Sequence, residues 1–233
     1  MDSPRCSIAD KFQREDRNFN SNAIIRQLFE MLKYFIKHGN CEKDVPVLDP
    51  FHFDYSDIEF SSPANILRLQ AGFANGVLIG FGDYELLKTQ FTREDIAAEL
   101  CLHFPSILFK SEHYEMQGDI YDSIPITGMG NFEFEIQNFT FCGKAFLMQS
   151  VDGKSILLKN ITTPSFSVDQ IESRVEFDGN IDDIVNAIIN DVLASYLTRF
   201  NRFLAANYVD EFIEIVNPFL KKFDSWRILA TLL

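Results

Sequence analysis

Long apolar runs are missing from this chain of 233 residues. No stretch approaches the ~20 consecutive apolar residues that a membrane-spanning helix needs, so stable insertion into a bilayer is not expected. Basic charge is scarce. Lys and Arg number 21 against 34 Asp and Glu, for a formal net charge of −13. Such a surface repels phosphate backbones and anionic headgroups, which argues against nucleic-acid binding and electrostatic membrane docking. Only four cysteines occur, Cys6, Cys41, Cys101 and Cys142. They form no C-x-x-C, so the usual zinc and thioredoxin spacings are absent, while disulfides and buried free thiols both stay open.

The motifs of catalysis are missing as well. His38, His52, His103 and His113 form no H-E-x-x-H or close ligand pair, so no metal site is expected. His52 and His103 fall on the polar parity of their segments and read as exposed. Gly80-Phe81-Gly82 lacks the third glycine and following helix of a dinucleotide loop and reads as a turn. There is no G-x-S-x-G elbow and no P-loop, and neither Cys101 nor Cys142 has a base beside it in sequence. Asp54, Asp57 and Glu59 read as a solvated edge. No catalytic residue and no cofactor is expected.

What the chain has in abundance is phenylalanine, 24 residues, within a 46% hydrophobic composition. After a polar stretch to Asn18, read as loose, Asn20 or Ser21 can cap a helix. Its apolar stripe is Ile24, Ile25, Leu28, Met31, Leu32, Phe35 and Ile36, and Gly39-Asn40 ends it. Val45-Pro46-Val47-Leu48-Asp49-Pro50 is an extended segment. From Phe51 to Phe177 the period is two. Asn75-Gly76 reads as a hairpin turn, and Asp152-Gly153 as the turn of a later hairpin. The parity slips at Pro105, which suggests a bulge, and again at Asn138. Alternating wet and greasy positions predict an antiparallel sheet with one covered side.

From Gly179 to about Pro218 the pattern is that of one amphipathic helix, beginning at Asn180 with Asp182 and Asp183 in its first turn. A bend is expected at Ala205-Ala206-Asn207. Such a helix would run ~60 Å, too long to bury its own stripe, so the sheet must wrap it. The apolar tail from Trp226 to Leu233 is expected to fold back as a lid or strand. The whole chain, 1–233, reads as one α+β domain: a long C-terminal helix wrapped by a highly curved antiparallel sheet, with a shorter N-terminal helix.

The order of these pieces resembles the insect takeout and juvenile-hormone-binding proteins of the TULIP superfamily. The resemblance is carried by Cys6 with its following helix and by Val45-Pro46-Val47-Leu48-Asp49-Pro50. It continues through Phe104-Pro105 with Tyr114 and Gly118, and Ile124-Pro125-Ile126-Thr127-Gly128-Met129-Gly130-Asn131-Phe132. It ends with Phe177-Asp178-Gly179-Asn180, Asn207-Tyr208 and Pro218. It covers residues 4 to 220. The family's second N-terminal cysteine has no counterpart around Ser21-Asn22, and Cys41 is the nearest to it.

The resemblance implies a tunnel for one elongated hydrophobic small molecule, such as an isoprenoid, fatty acid, quinone or carotenoid. It also implies secretion. The opening Met1-Asp2-Ser3-Pro4-Arg5-Cys6 is polar, which fits a cytosolic chain or a mature form from which a signal peptide has been removed. The sequons Asn138-Phe139-Thr140 and Asn160-Ile161-Thr162 lend faint support to secretion. Parity assigns the tunnel wall to Phe73, Phe81, Leu102, Phe104, Tyr114, Phe132, Phe134, Phe139, Phe141 and Phe177, with Phe200 and Phe203 from the helix. The alternative is an extracellular interaction or signalling protein with a packed, ligand-free core. The sequence leaves the oligomeric state open.

Overall fold

A computed structural model describes residues 6–62, 66–177 and 181–233, with side chains from Ser21 onward apart from Glu42. Helix α1 spans Cys6–His38. It reaches back well beyond Asn20 and Ser21, so those residues lie inside the helix and not at its cap. No Gly or Pro interrupts the chain between Cys6 and Gly39, and nothing local stops the helix from propagating through the polar stretch read as loose. Gly39, at φ 65, ends it, its N–H bonding Phe35 O at 2.8 Å.

Seven strands follow: β1 (Phe51–Ser61), β2 (Leu67–Ile79), β3 (Glu85–Thr92), β4 (Ala97–Ile120), β5 (Ile124–Gln149), β6 (Ile156–Ser167) and β7 (Gln170–Val175). They form one antiparallel sheet in the order β1-β2-β4-β5-β6. β3 pairs with the start of β4 and β7 with the first half of β5. The long strands β4 and β5 are therefore the spine, and each takes different neighbours along its length.

Two expected punctuation marks move. Asn75-Gly76 is no turn: β2 runs straight through it. Asn75 takes φ 53 and its amide donates to Glu112 at 3.1 Å, so the unusual backbone is absorbed within the strand. A Cβ at Gly76 would lie 1.9 Å from the Phe53 ring, which explains the glycine by close ring packing. The bulge expected at Pro105 is also absent from β4–β5 pairing. Phe104 faces Phe139 and Ser106 faces Gln137 in one unbroken register, and the shift comes later, between Ser111 and Tyr114. Pro105 stands opposite Asn138, which has φ 52. Both strands change parity at the same place, so the inward pairs Phe104–Phe139, Ile107–Ile136 and Phe109–Phe134 stay matched. The two slips in the sequence are one fold line across the sheet.

The helical C-terminal region comprises α2 (Asp182–Ile188), a π-helical turn (Ile189–Leu193), α3 (Ala194–Arg199) and α4 (Asn201–Leu220). The expected start at Gly179 or Asn180 lies outside the described residues. The break falls at Phe200, with φ −99 and ψ 11, and not at Ala205-Ala206-Asn207. Leu204, Ala205 and Val209 are buried in mid-helix, where alanine favours regular structure. The π turn delays the helical phase, so that Asn186 and Asn190, then Ile189, Leu193 and Leu197, all meet the sheet beside β7.

This helical run also solves the problem of free strand edges. Asn217 accepts from Leu158 N–H at 2.9 Å and donates to Leu158 O at 3.0 Å. The Thr198 hydroxyl does the same with Val168 N–H and O, both at 3.2 Å. Asn186 accepts from Val175 N–H at 2.8 Å and donates to Val175 O at 2.9 Å. Asn190 accepts from Ser173 N–H at 2.7 Å. Side chains of the helix thus stand in for a neighbouring strand along the outer edges of β6 and β7 and the link between them.

The tail folds back on the core as expected, as the short helix α5 (Trp226–Ala230) and not as a strand. Leu229 is fully buried with Ile25, Leu28, Phe91, Ala98 and Ile156, so the tail closes one end of the core. Cys101 and Cys142 face each other across β4 and β5 as a disulfide, Cα–Cα 4.2 Å. Cys41 is an exposed free thiol. The side chain of Cys6 lies outside the described residues.

Candidate functional site: an apolar chamber between two helices

The concave face of the sheet is filled in three zones. At the far end Phe73, Tyr114 and Val175 are buried with Phe109, Phe132 and Phe134 around them. Ring centroids there are 4.9 Å apart for Phe73–Phe132 and 5.0 Å for Phe132–Phe134. The Tyr114 hydroxyl donates to Glu176 O at 2.7 Å. Burial, with Asp182 and Glu176 nearby, pushes its phenol up to about 12. In the middle Tyr84, Phe104 and Ile107 pack with Leu102, Ile136, Phe139 and Phe29. The Tyr84 hydroxyl donates to Phe29 O, and burial drives its phenol far above the ordinary range. Both phenols are committed to backbone carbonyls.

The third zone does not close. Between α1 and α4 a cavity of about 200 Å³ remains over the sheet. One wall is Ile25, Leu28, Phe29, Met31 and Leu32 of α1. The other is Phe212, Val216 and Leu220 of α4. The floor is built by Ala98, Leu100 and Leu102 of β4, Phe141, Gly143, Ala145 and Leu147 of β5, and Ile156, Leu158 and Ile161 of β6. Phe223 and Ser225 close the tail end. Ser225 is the single polar side chain among these, and among the described residues no cationic group lines the space. Phe212, 48% exposed, stands at the rim. The disulfide lies directly behind the floor, because Cys101 alternates with Leu100 and Leu102, and Cys142 with Phe141 and Gly143.

Of the residues that parity assigned to a tunnel wall, Leu102 and Phe141 border this chamber. Phe104 and Phe139 sit just beyond them, ring centroids 5.9 Å apart. Phe73, Tyr114, Phe132 and Phe134 are together in the far cluster, and Phe177 packs over Gly128 beside Tyr114. Phe81 lies edge-on to Phe104 at 6.1 Å and is partly exposed. Phe200 stands at the helix break against Tyr196, and Phe203 is 46% exposed. The α1 stripe, β6 and the end of α4 also contribute to the chamber. The α1 stripe was legible as an amphipathic face. Nothing in its spacing said that it faces α4 across a gap.

Larger concavities on the surface are open and polar. One of about 1070 Å³ runs past Asp54, Lys110, Glu112, Glu133, Arg174 and Glu176. Among the described residues no group of three or more His, Cys, Asp or Glu is placed to hold a metal ion, and no helix is long and apolar enough to cross a membrane.

A curved antiparallel sheet cradling a long C-terminal helical run and an N-terminal helix defines the α+β roll of the TULIP type. Residues 5–230 match the family model described as haemolymph juvenile hormone binding protein, and the chain belongs to that family. The fold is similar to that of Epiphyas postvittana Takeout 1, with TM-score 0.61 and 18% identity over 87% of this chain and 91% of that one. The likeness to a lipopolysaccharide binding protein is too loose to define a shared fold, with TM-score 0.36 and 14% identity over 84% of this chain and 37% of that one. No curated protein sequence matches the chain.

Proposed function

We propose that this protein is a secreted, non-enzymatic carrier, a single unit over residues 1–233, that holds one hydrophobic small molecule in the chamber between α1 and α4. The carrying observation is the chamber itself, an apolar space walled by two helices and three strands in a member of a binding-protein family. Close-packed interiors rarely leave such a void. At about 24 cal/mol per Å³, an unfilled 200 Å³ costs on the order of 5 kcal/mol, which a ligand recovers. An apolar cavity of ~150 Å³ takes a benzene-sized guest, so this chamber suits a body of about eight to ten carbons. That favours a short isoprenoid or medium-chain lipid over a whole quinone or carotenoid. Burying ten carbons at ~0.8 kcal/mol each contributes about 8 kcal/mol gross. Association costs of at least ~4 kcal/mol leave about 4 kcal/mol or less, which is millimolar or weaker binding from apolar burial alone.

Native mass spectrometry of the purified protein, followed by organic extraction, is the direct test. A co-purifying hydrophobic molecule is the expected result. Protein that carries none, and whose melting temperature no medium-chain lipid or isoprenoid raises, overturns the reading. Leu102→Trp should fill the chamber and weaken binding at least tenfold, measured by titration calorimetry. Phe134→Trp, in the far cluster, should leave binding of the same ligand unchanged. The packed far and middle zones favour the second reading, an interaction protein with a solid core, for that part of the molecule. The two substitutions separate the readings, since a solid core binds nothing for Leu102→Trp to displace.

A further inference from the structure

Among the described residues the chamber has one polar side chain, and it is half used. Ser225 is 7% exposed and borders the cavity at its tail end. Its oxygen accepts a hydrogen bond from Ile156 N–H at 2.9 Å. Among the described residues its hydroxyl hydrogen has no acceptor. A serine hydroxyl offers one donor as well as its acceptor sites, and a buried donor left unmade is unfavourable. The neighbouring polar groups are already paired. Ser155 Oγ donates to Lys221 O at 2.9 Å, and Ser150 Oγ binds Asp152 Oδ1 and accepts from Ser155 N–H.

Resting on the carrier reading above, we infer that Ser225 is the ligand's polar anchor. Its hydroxyl donates to an oxygen at one end of the bound molecule, whose apolar body runs toward Leu102 and Phe141. The fixed Ile156 N–H holds the serine oxygen in place, so the donor is oriented before a ligand enters. The ligand class follows from what else the walls lack. With no cationic side chain among the described residues of the lining, an ionised carboxylate would be buried without a partner, which is strongly unfavourable. The site selects an uncharged acceptor, such as a ketone, aldehyde or ester oxygen, over a free fatty-acid anion.

The test compares 2-decanone with decane, binding being read by headspace gas chromatography on the intact chain. Ser225→Ala should weaken 2-decanone about three- to tenfold, the span of one neutral hydrogen bond, and leave decane unchanged. Ser225→Thr, which keeps the hydroxyl, should retain most of the ketone affinity. Ser225→Ala also removes the acceptor for Ile156 N–H, so a readout on the unsubstituted protein stands beside it. The infrared carbonyl band of bound 2-decanone should shift to lower frequency than in alkane solution. An unshifted band, or equal loss for ketone and alkane in Ser225→Ala, overturns the anchor and leaves the carrier reading standing. If neither compound binds the unsubstituted protein, the carrier reading itself fails.

Discussion

Single side chains in this protein do structural work that their residue type alone does not announce. Asn217 satisfies both the N–H and the C=O of Leu158, and Asn186 does the same for Val175. Truncating either leaves two backbone groups of a strand edge without partners beneath a helix. Asn217→Ala should therefore lower unfolding stability by about 1–3 kcal/mol, read as a lower urea midpoint at unchanged slope. The buried phenols give a pH signature. Tyr114, raised to about 12 when folded, ionises near 10 in the unfolded chain. The neutral form is the one the fold favours, so its contribution is present below pH 10 and is lost as pH rises from about 10 to 12. Urea midpoints should hold steady to pH 9 and fall above 10, and Tyr114→Phe should flatten part of that fall.

At the level of elements, hydrophobic periodicity carried the reading far. Strand alternation from Phe51 onward marked the sheet, and the Gly39 terminator and the Asp152-Gly153 turn stand where spacing placed them. Within the sheet, where the local signal and the structure part, contacts between distant strands are the cause. Asn75-Gly76 has the chemistry of a hairpin turn, yet Asn75 is tied to Glu112 of β4 and Gly76 makes room for the Phe53 ring of β1. A positive φ needs a reason, and here the reason sits on strands distant in sequence. Pro105 and Asn138 looked like two separate slips, and only pairing shows that they oppose each other. The N-terminal helix extends past its apparent cap because a capping residue stops nothing when the preceding residues also favour helix. Phe212 belongs to the element scale too. Shortening it to Ala should open the rim of the chamber, and the check is faster ligand release in a stopped-flow displacement experiment.

For the molecule as a whole, the disulfide and the tail set how firmly the chamber is held. The Cys101–Cys142 bond spans 41 residues of sequence and staples the two spine strands immediately behind the cavity floor. The double substitution Cys101→Ser with Cys142→Ser should cost about 2–4 kcal/mol of stability, measured by chemical denaturation. Helix α5 buries Leu229 against α1 and the start of β4, so the chain ends by sealing one end of the roll. Phenylalanine content alone implied an aromatic interior. It did not say whether rings would pack on one another or border a space. In the far zone they pack, because matched inward pairs across β1, β2, β4 and β5 bring ring against ring. Near α1 and α4 smaller residues, Ala98, Gly143 and Ala145, lie on the floor, and the two helices stand apart above them.

By itself the sequence determined the α+β class, the antiparallel sheet with one covered face and the two long helical segments. Each of these follows from local periodicity, charge and motif, which act over a few residues. Tertiary structure alone decided which cysteines pair, where the helix breaks, how the free strand edges are satisfied and where the interior stays open. Those depend on contacts between residues far apart in the chain, and a void is not a property of any one of them. It is what two helices and a sheet leave between them when their side chains are too small to meet.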